Sequence, residues 1–190
     1  MRHPRVSGEV SFRFMTHLNK TDAMQIRKAT YDDITRLMEI FGCARTIMRE
    51  SGNLHQWNAG YPSREIVMKD IDQGNCHVLC KDGTIIGTMA LIPGPDHTYS
   101  EICGSWPDER PYHVIHRIAA AAPGADIAGT FLAWAFGHIG NDGVIRIDTH
   151  NDNLIMKHIL TSHGFTMCGI IHLDDGSPRD AYICSREQFR

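Results

Sequence analysis

The sequence has no long apolar run, no dense cluster of Lys and Arg and no Cys-x-x-Cys pair. A membrane-spanning helix needs about 20 consecutive apolar residues, so none is expected. Binding to a phosphate backbone depends on several positioned cations, and the formal net charge of the 190 residues is -3, which argues against nucleic acid as a partner. Residues 1–23 contain no continuous apolar stretch, so no secretory signal is expected.

A metal site is not expected either. The twelve histidines include no His-Glu-x-x-His motif and no matching set of carboxylates. Cys76 and Cys80 would share one face of a strand, but two thiols alone make a poor site, so packing is the better interpretation. The six cysteines are spread through apolar segments, which fits a reducing cytoplasm.

Length and composition favour one globular domain. A chain of 190 residues with 42% hydrophobic content can bury one sizeable core but is short for two typical domains. The regular pattern begins at Met24 and runs to Glu187, so we treat residues 1–23 as an N-terminal extension. That extension is either disordered or adds an edge strand at residues 10–14.

From Met24 the pattern alternates between strands and helices. Thr30 is a predicted helix N-cap with Asp32 and Asp33 in the first turn, and Ser63 caps a second predicted helix. A hairpin follows, with its turn at residues 81–83. The later predicted elements are a strand at 113–121, a helix at 126–139, a strand at 144–149, a helix closed by Gly164 and a final antiparallel pair. This order predicts a mixed α/β sheet.

Three stretches carry a resemblance to a known family: "IRKATYDDITRLMEIF", "HRIAAAAPGADIAGTFLAWAF" and "IRIDTHNDNLIMKHILTSHGFTMCGII". The most specific is the last, in which Asn153 opens a helix after a strand and a Gly-Phe pair follows at Gly164. Together they resemble the GNAT superfamily of acetyl-CoA-dependent N-acetyltransferases over residues 24–187. The resemblance implies a mixed central sheet with splayed parallel strands, flanked by helices.

The resemblance also implies acetyl-CoA as the acyl donor, with its pantetheine arm between the splayed strands. Here those strands would be residues 113–121 and 144–149, with a bulge near the alanines. The family holds the pyrophosphate on main-chain N–H groups at a helix N-terminus, usually with the motif Q/R-x-x-G-x-G/A. The cofactor-binding residues implied are Ile118, Ala119, Ala120, Gly124, Ala125, Asp126, Ile127, Ala128, Gly129 and Asn153.

Three departures from the family pattern, at Pro123, Asp126 and Leu160, affect function. Pro123 stands where the motif has Gln or Arg, which weakens the phosphate site. Asp126 places a carboxylate where the pyrophosphate would lie, although an Asp there can cap the helix with its own side chain. Weaker binding of CoA is therefore expected. Family members often protonate the departing thiolate with a Tyr at the position of Leu160, which cannot donate a proton.

Candidate catalytic groups are His116, His113 and Tyr182. A strand period of two places Val114, His116 and Ile118 on one face, so only one of the two histidines would point into the cleft. A His suits general-base work near neutral pH. Asp148 and His150 end a strand, a common location for active-site residues in α/β sheets, or they simply terminate it.

Trp57 and Tyr61, in a predicted loop, could wall a pocket for the acceptor amine through stacking or cation–π contact, or could pack in the core. The predicted function is transfer of an acetyl group to an amine of a small molecule or peptide. The alternative is a catalytically inactive ligand-binding or sensor module of the same fold. The sequence leaves the acceptor and the oligomeric state open, a homodimer included.

Overall fold

A computed structural model describes residues 24–58, 60–123 and 126–190. The predicted N-terminal extension, with its candidate strand at residues 10–14, lies outside the described residues. In the part that is described, no helix is both long and apolar enough to cross a membrane.

Within the described residues the sheet is mixed and has eight strands, in the order β1-β2-β3-β5-β6-β8-β7-β4. All neighbouring strands pair antiparallel except β5 and β6, which pair parallel. The expected mixed α/β architecture is confirmed. The strands are β1 (Met24–Lys28), β2 (Cys76–Lys81), β3 (Thr84–Pro93), β4 (Cys103–Gly104), β5 (His113–Ala120), β6 (Val144–Thr149), β7 (Thr166–His172) and β8 (Pro178–Ser185).

Four α-helices pack on this sheet, and their ends follow the local sequence. Ser63 accepts a hydrogen bond from the Ile66 N–H at the start of the second helix. Gly164 has a φ of 90°, the left-handed conformation that a residue following a helix commonly needs. The helices are α1 (Ile34–Glu50), α2 (Arg64–Asp72), α3 (Ile127–Ile139) and α4 (Leu154–Ser162).

A one-turn 3₁₀ helix at Tyr31–Asp33 leads into α1. The Asp33 carboxylate accepts a hydrogen bond from the Thr30 N–H at 2.8 Å and forms an ion pair with Arg27 at 2.7 Å. The hydrogen bond and charge of Arg27 lower the pKa of Asp33 to about 2. The predicted start of this helix is therefore confirmed, with the added ion pair.

The hairpin turn between β2 and β3 is at Asp82 and Gly83, which both have positive φ, 51° and 81°. Two consecutive residues in the left-handed region match the right-handed twist of the flanking strands, and Asp-Gly is a favoured pair for this turn. The turn fixes the register in which Lys81 faces Thr84.

The sheet has a core on each face. Val78 and Leu79 are neighbours on β2 and belong to different clusters of buried residues, as strand alternation requires. The cluster with Val78 includes residues of α1 and α2, and the cluster with Leu79 includes residues of α3 and α4. The gap between β5 and β6 therefore lies between two helical layers.

The segment between β3 and β5 covers part of the sheet that α1 and α2 leave open. It contains a one-turn 3₁₀ helix (His97–Tyr99) and the short strand β4, neither of which the sequence predicted. Tyr99 is 1% exposed and packs with Val114, Ile171 and Ala181 in a third cluster. This segment brings Asp96 toward the centre of the sheet.

Candidate active site

The two parallel strands separate after a short paired stretch. β5 and β6 are in register only at His113 with Ile145 and at Val114 with Arg146. Beyond Val114 the edge of β5 that faces β6 has no strand partner among the described residues. The Ala121 N–H donates to Ile86 of β3, so the N–H of Ala120 faces the opposite edge, toward the gap.

A bulge in β5 occurs next to the gap. The register with β3 shifts between Thr88 and Ala90, and Arg117 has a φ of 57°. A non-glycine residue in this conformation costs about 1–2 kcal/mol, so it is held by other contacts. The Arg117 guanidinium donates to Asp70 at 2.8 Å and to the Tyr61 hydroxyl at 3.2 Å.

The bulge corrects one sequence-based expectation. Ile118 does not share a face with Val114 and His116; it packs against the cluster that contains Ile115. The extra residue of a bulge shifts the alternation of side chains by one, which a strict period of two could not anticipate.

A cavity of about 470 Å³, here called the central cavity, opens on the α1 and α2 side of the gap. It is lined by the predicted residues His116, Trp57, Tyr61 and Asn153. A second cavity of about 240 Å³, the α3 cavity, lies beside Ala119, Ala120 and the start of α3. The two cavities share Met48, Ile118, Asn153 and Met156, so they meet at the gap.

His116 lies between two carboxylates in the central cavity. Its Nε2 is 3.1 Å from Asp96 Oδ2, and its Nδ1 is 3.7 Å from Asp148 Oδ1. The hydrogen bond from His116 holds the pKa of Asp96 well below its ordinary value, so this carboxylate is an acceptor only and Nε2 must carry the hydrogen. The distance from Nδ1 to Asp148 is too long for a hydrogen bond, so Nδ1 has no hydrogen-bond partner among the described residues.

Asp148 has further partners that fix its position. The buried Tyr99 hydroxyl donates to Asp148 Oδ1 at 2.8 Å, and Arg179 Nε lies 4.0 Å from Asp148 Oδ2. Burial raises the pKa of Tyr99 well above its ordinary value, so this hydroxyl stays protonated and remains a donor. Asp148 is thus a carboxylate at the end of β6 that belongs to the site, as its position in the sequence suggested.

His113, Tyr182 and His150 do not line either cavity. Burial lowers the pKa of His113, and His138 of α3 adds to the effect. Tyr182 is 2% exposed in the cluster under α3 and α4. His150 lies 5.8 Å from His55, ring centre to ring centre. Of the candidates for proton transfer, the geometry retains only His116.

The charges around the central cavity are nearly balanced. Its carboxylates are those of Asp70, Asp96, Asp148 and Asp174, and its cations are those of Lys69, Arg117 and Arg179. No group of three or more residues able to hold a metal ion occurs in the ranges that the structure describes.

Trp57 and Tyr61 form an aromatic wall of the central cavity. The Trp57 ring is 5.8 Å from the Phe41 ring in an edge-to-face arrangement and 6.3 Å from the Tyr61 ring. Trp57 therefore packs against the α1 core with one part of its ring while it borders the cavity. That the cavity holds the acceptor amine stays a prediction.

Gln56 joins the loop after α1 to the other side of the gap. Its Oε1 accepts hydrogen bonds from Asn53 Nδ2 at 2.9 Å, Thr149 Oγ1 at 3.3 Å and Asn153 Nδ2 at 2.7 Å. Asn153 also caps α4, because its Oδ1 accepts from the Met156 N–H at 3.1 Å. No signal in the sequence pointed to Gln56, since two of its three donors, Thr149 and Asn153, are 93 and 97 residues away.

Asp126 is the N-cap of α3, as the sequence suggested. Its Oδ1 accepts from the Gly129 N–H at 2.8 Å, and its Oδ2 lies 3.6 Å from His163 Nε2. A Cβ at Gly129 would come within 2.1 Å of the Asp126 carboxylate, so only glycine fits beside this cap. Ile127 and Ala128 line the α3 cavity, whereas Gly124 and Ala125 lie outside the described residues.

Leu160 is fully buried in the core under α3 and α4 and lines neither cavity. Among the described residues that line the α3 cavity, Asp126 is the only one with an ionisable side chain. The cavity walls are otherwise formed by apolar side chains with Ser51 and Asn153.

Comparison with solved structures gives several similar folds. A GNAT-family acetyltransferase from Streptococcus agalactiae is 35% identical with a TM-score of 0.76, and the match covers 88% of this chain and 95% of that one. A GNAT-family acetyltransferase from Listeria monocytogenes is 18% identical, with a TM-score of 0.64 and 85% and 94% of the two chains covered.

The ribosomal-protein-alanine N-acetyltransferase from Brucella melitensis is also 18% identical, with a TM-score of 0.59 and coverage of 85% and 99%. At this level of identity the likeness concerns the fold alone. No protein-family model and no curated protein matches the chain.

Proposed function

Because this chain belongs to the GNAT family of acetyltransferases, we propose that it transfers the acetyl group of acetyl-CoA to an amine of a small molecule or peptide. The observation that carries the proposal is the gap between β5 and β6, where the central cavity and the α3 cavity meet on four common residues. Acetyl-CoA in the α3 cavity and an acceptor amine in the central cavity would meet at this gap.

The α3 cavity fits one part of acetyl-CoA better than the other. Its apolar walls and the N–H of Ala120 at the open strand edge suit a pantetheine arm, whose amides can pair with a strand. The pyrophosphate has fewer partners, since Pro123 has no N–H and the Gly129 N–H already donates to Asp126. When bound, acetyl-CoA supplies the thioester carbonyl that the amine attacks.

His116 is the proposed general base. The acceptor enters the central cavity as an ammonium ion and must lose a proton before its nitrogen can attack. Nδ1 of His116 takes that proton, directly or through one water, while Asp96 fixes the ring through Nε2. Asp148, held by Tyr99, stabilises the imidazolium that results.

The departing thiolate has no side-chain acid in the described wall of the α3 cavity. Leu160 is in the core, and Asp126 lies at the helix start as a hydrogen-bonded cap. We therefore propose that water, or the proton released by the amine, protonates the thiolate. All six cysteines are free thiols, which supports the proposed cytoplasmic location.

The test is release of free CoA thiol from acetyl-CoA across a panel of amines. His116→Gln should lower kcat by about 10²–10⁴-fold, the usual effect of removing a general base, whereas His113→Gln should leave it unchanged. Binding of acetyl-CoA without thiol release for any amine would favour the non-catalytic module instead.

A further inference from the structure

A third cavity lies beside the central cavity, at the end of α1. It has a volume of about 370 Å³ and shares Met48 and Trp57 with the central cavity. Two arginines, Arg45 and Arg49, border it together with the buried Asn53. We call it the Arg45 cavity.

The two arginines lack anionic partners. Arg45 Nη1 donates to the Tyr61 carbonyl at 3.1 Å, and Arg49 Nε donates to the Arg45 carbonyl at 3.3 Å. Neither guanidinium has an ion pair among the described residues, and no carboxylate is found in the described lining of the cavity. The cavity thus carries two positive charges on a chain whose net charge is -3.

Local structure accounts for only part of this arrangement. Arg49 is in the last turn of α1, where a cation interacts favourably with the helix dipole. Arg45 is one turn earlier, so the dipole does not explain its position. Both guanidinium groups keep N–H donors that no described residue uses, and two such groups on one cavity match an oxyanion.

Asn53 supplies an independent observation. The residue is 2% exposed, its Nδ2 donates to Gln56, and its Oδ1 is buried with no hydrogen-bond partner among the described residues. An unpaired buried acceptor is unusual in folded proteins and often marks a place where a ligand or water completes the bonding. A ligand with a hydroxyl or N–H beside its oxyanion would satisfy it.

We infer that the Arg45 cavity binds an oxyanion of the acceptor, so that the substrate is an amine that also carries a carboxylate or phosphate group. Met48 and Trp57 line both this cavity and the central one, so the amine can face His116 while the oxyanion faces Arg45 and Arg49. The identity of the ligand as an acceptor amine rests on the proposed acetyl transfer. The existence of the anion site does not depend on it.

The first experiment measures binding of inorganic phosphate by calorimetry at low salt. Arg49→Gln removes one exposed guanidinium, and the double variant with Arg45→Gln removes both. Arg64→Gln, an exposed arginine of α2 outside the three cavities, is the matched control. Phosphate affinity should fall by about tenfold or more with Arg49→Gln and stay unchanged with the control, as expected for loss of a charge-assisted hydrogen bond.

The second experiment compares matched acceptors in the thiol-release assay. The carboxylates β-alanine and γ-aminobutyrate are set against their amides, and phosphoethanolamine is set against ethanolamine. The anionic member of at least one pair should have a kcat/KM about tenfold or more above its neutral partner, and Arg49→Gln should remove that preference. The pair that shows it identifies the carboxylate or the phosphate.

The outcomes separate the two proposals. Acetylation without any preference, together with phosphate binding that the double variant does not change, overturns the anion site and leaves acetyl transfer standing. Phosphate binding that depends on Arg49, with no amine acetylated, supports the anion site and contradicts the proposed function.

Discussion

Asp126→Asn should tighten the binding of acetyl-CoA. The wild-type carboxylate caps α3 and lies where a pyrophosphate would approach the helix N-terminus. Asn is as good an N-cap as Asp, so the variant keeps an oxygen for the Gly129 N–H while it removes the negative charge. Little change in the structure of the helix start is therefore expected.

The size of the effect follows from the exposure of Asp126, whose side chain is 62% exposed. Two unit charges about 6 Å apart repel each other by about 0.7 kcal/mol at the dielectric constant of water. The two charges of a pyrophosphate double this value, and physiological salt, with a Debye length of about 8 Å, halves it to about 0.7 kcal/mol, which corresponds to about threefold in the dissociation constant.

Calorimetric titration at low and high salt measures this change, and the gain should shrink as the salt concentration rises. S-acetylpantetheine, which lacks the pyrophosphate, is the matched ligand and should bind both proteins equally. Asp142→Asn, which removes a charge in the exposed turn before β6, is the matched variant. The proposed repulsion between the Asp126 carboxylate and the pyrophosphate is refuted by either of two results. Asp126→Asn could leave acetyl-CoA binding unchanged, or it could tighten the binding of S-acetylpantetheine equally.

Two predictions concern stability. Asp33→Asn should destabilise the fold by about 1–2 kcal/mol at pH 7, because the pKa of Asp33 is lowered from 3.8 to about 2 in the folded state and the half-exposed Arg27 is partly screened. That contribution is present above pH 3.8 and is lost as the pH falls toward about 2, so urea unfolding should show the difference at pH 7 and not at pH 2. Asp70→Asn should cost about 3–5 kcal/mol, since it leaves the Arg117 guanidinium buried without its counter-ion. A loss below about 1 kcal/mol would mean that water and the Tyr61 hydroxyl already solvate the Arg117 guanidinium.

Local signals predicted most of the secondary structure. The Asp82-Gly83 turn, the caps at Ser63 and Asp126 and the close of α4 at Gly164 each depend on a few neighbouring residues. Such features are readable because their physical cause lies within one turn of chain. The segment between β3 and β5 was not predicted, because its short elements are held by Tyr99 packing on distant strands.

The site was predictable only in part. His116 was one of three candidates, with His113 and Tyr182, and what selects it is the position of Asp96, which lies 20 residues earlier in a different element. The bulge at Arg117 depends on Asp70, which is 47 residues away. Pairings over such distances leave no periodic trace in the sequence, so the partners of a functional side chain appear only once the sheet is assembled.

The Gln56 side chain has a consequence for how the site meets a ligand. A carbonyl oxygen offers two lone pairs, yet three donors converge on Gln56 Oε1. Thr149 makes the longest of these bonds, at 3.3 Å, and its hydroxyl is free to rotate. The cleft therefore contains a hydroxyl donor that can turn toward an incoming molecule, while the hydrogen bond from Asn153 still anchors the loop.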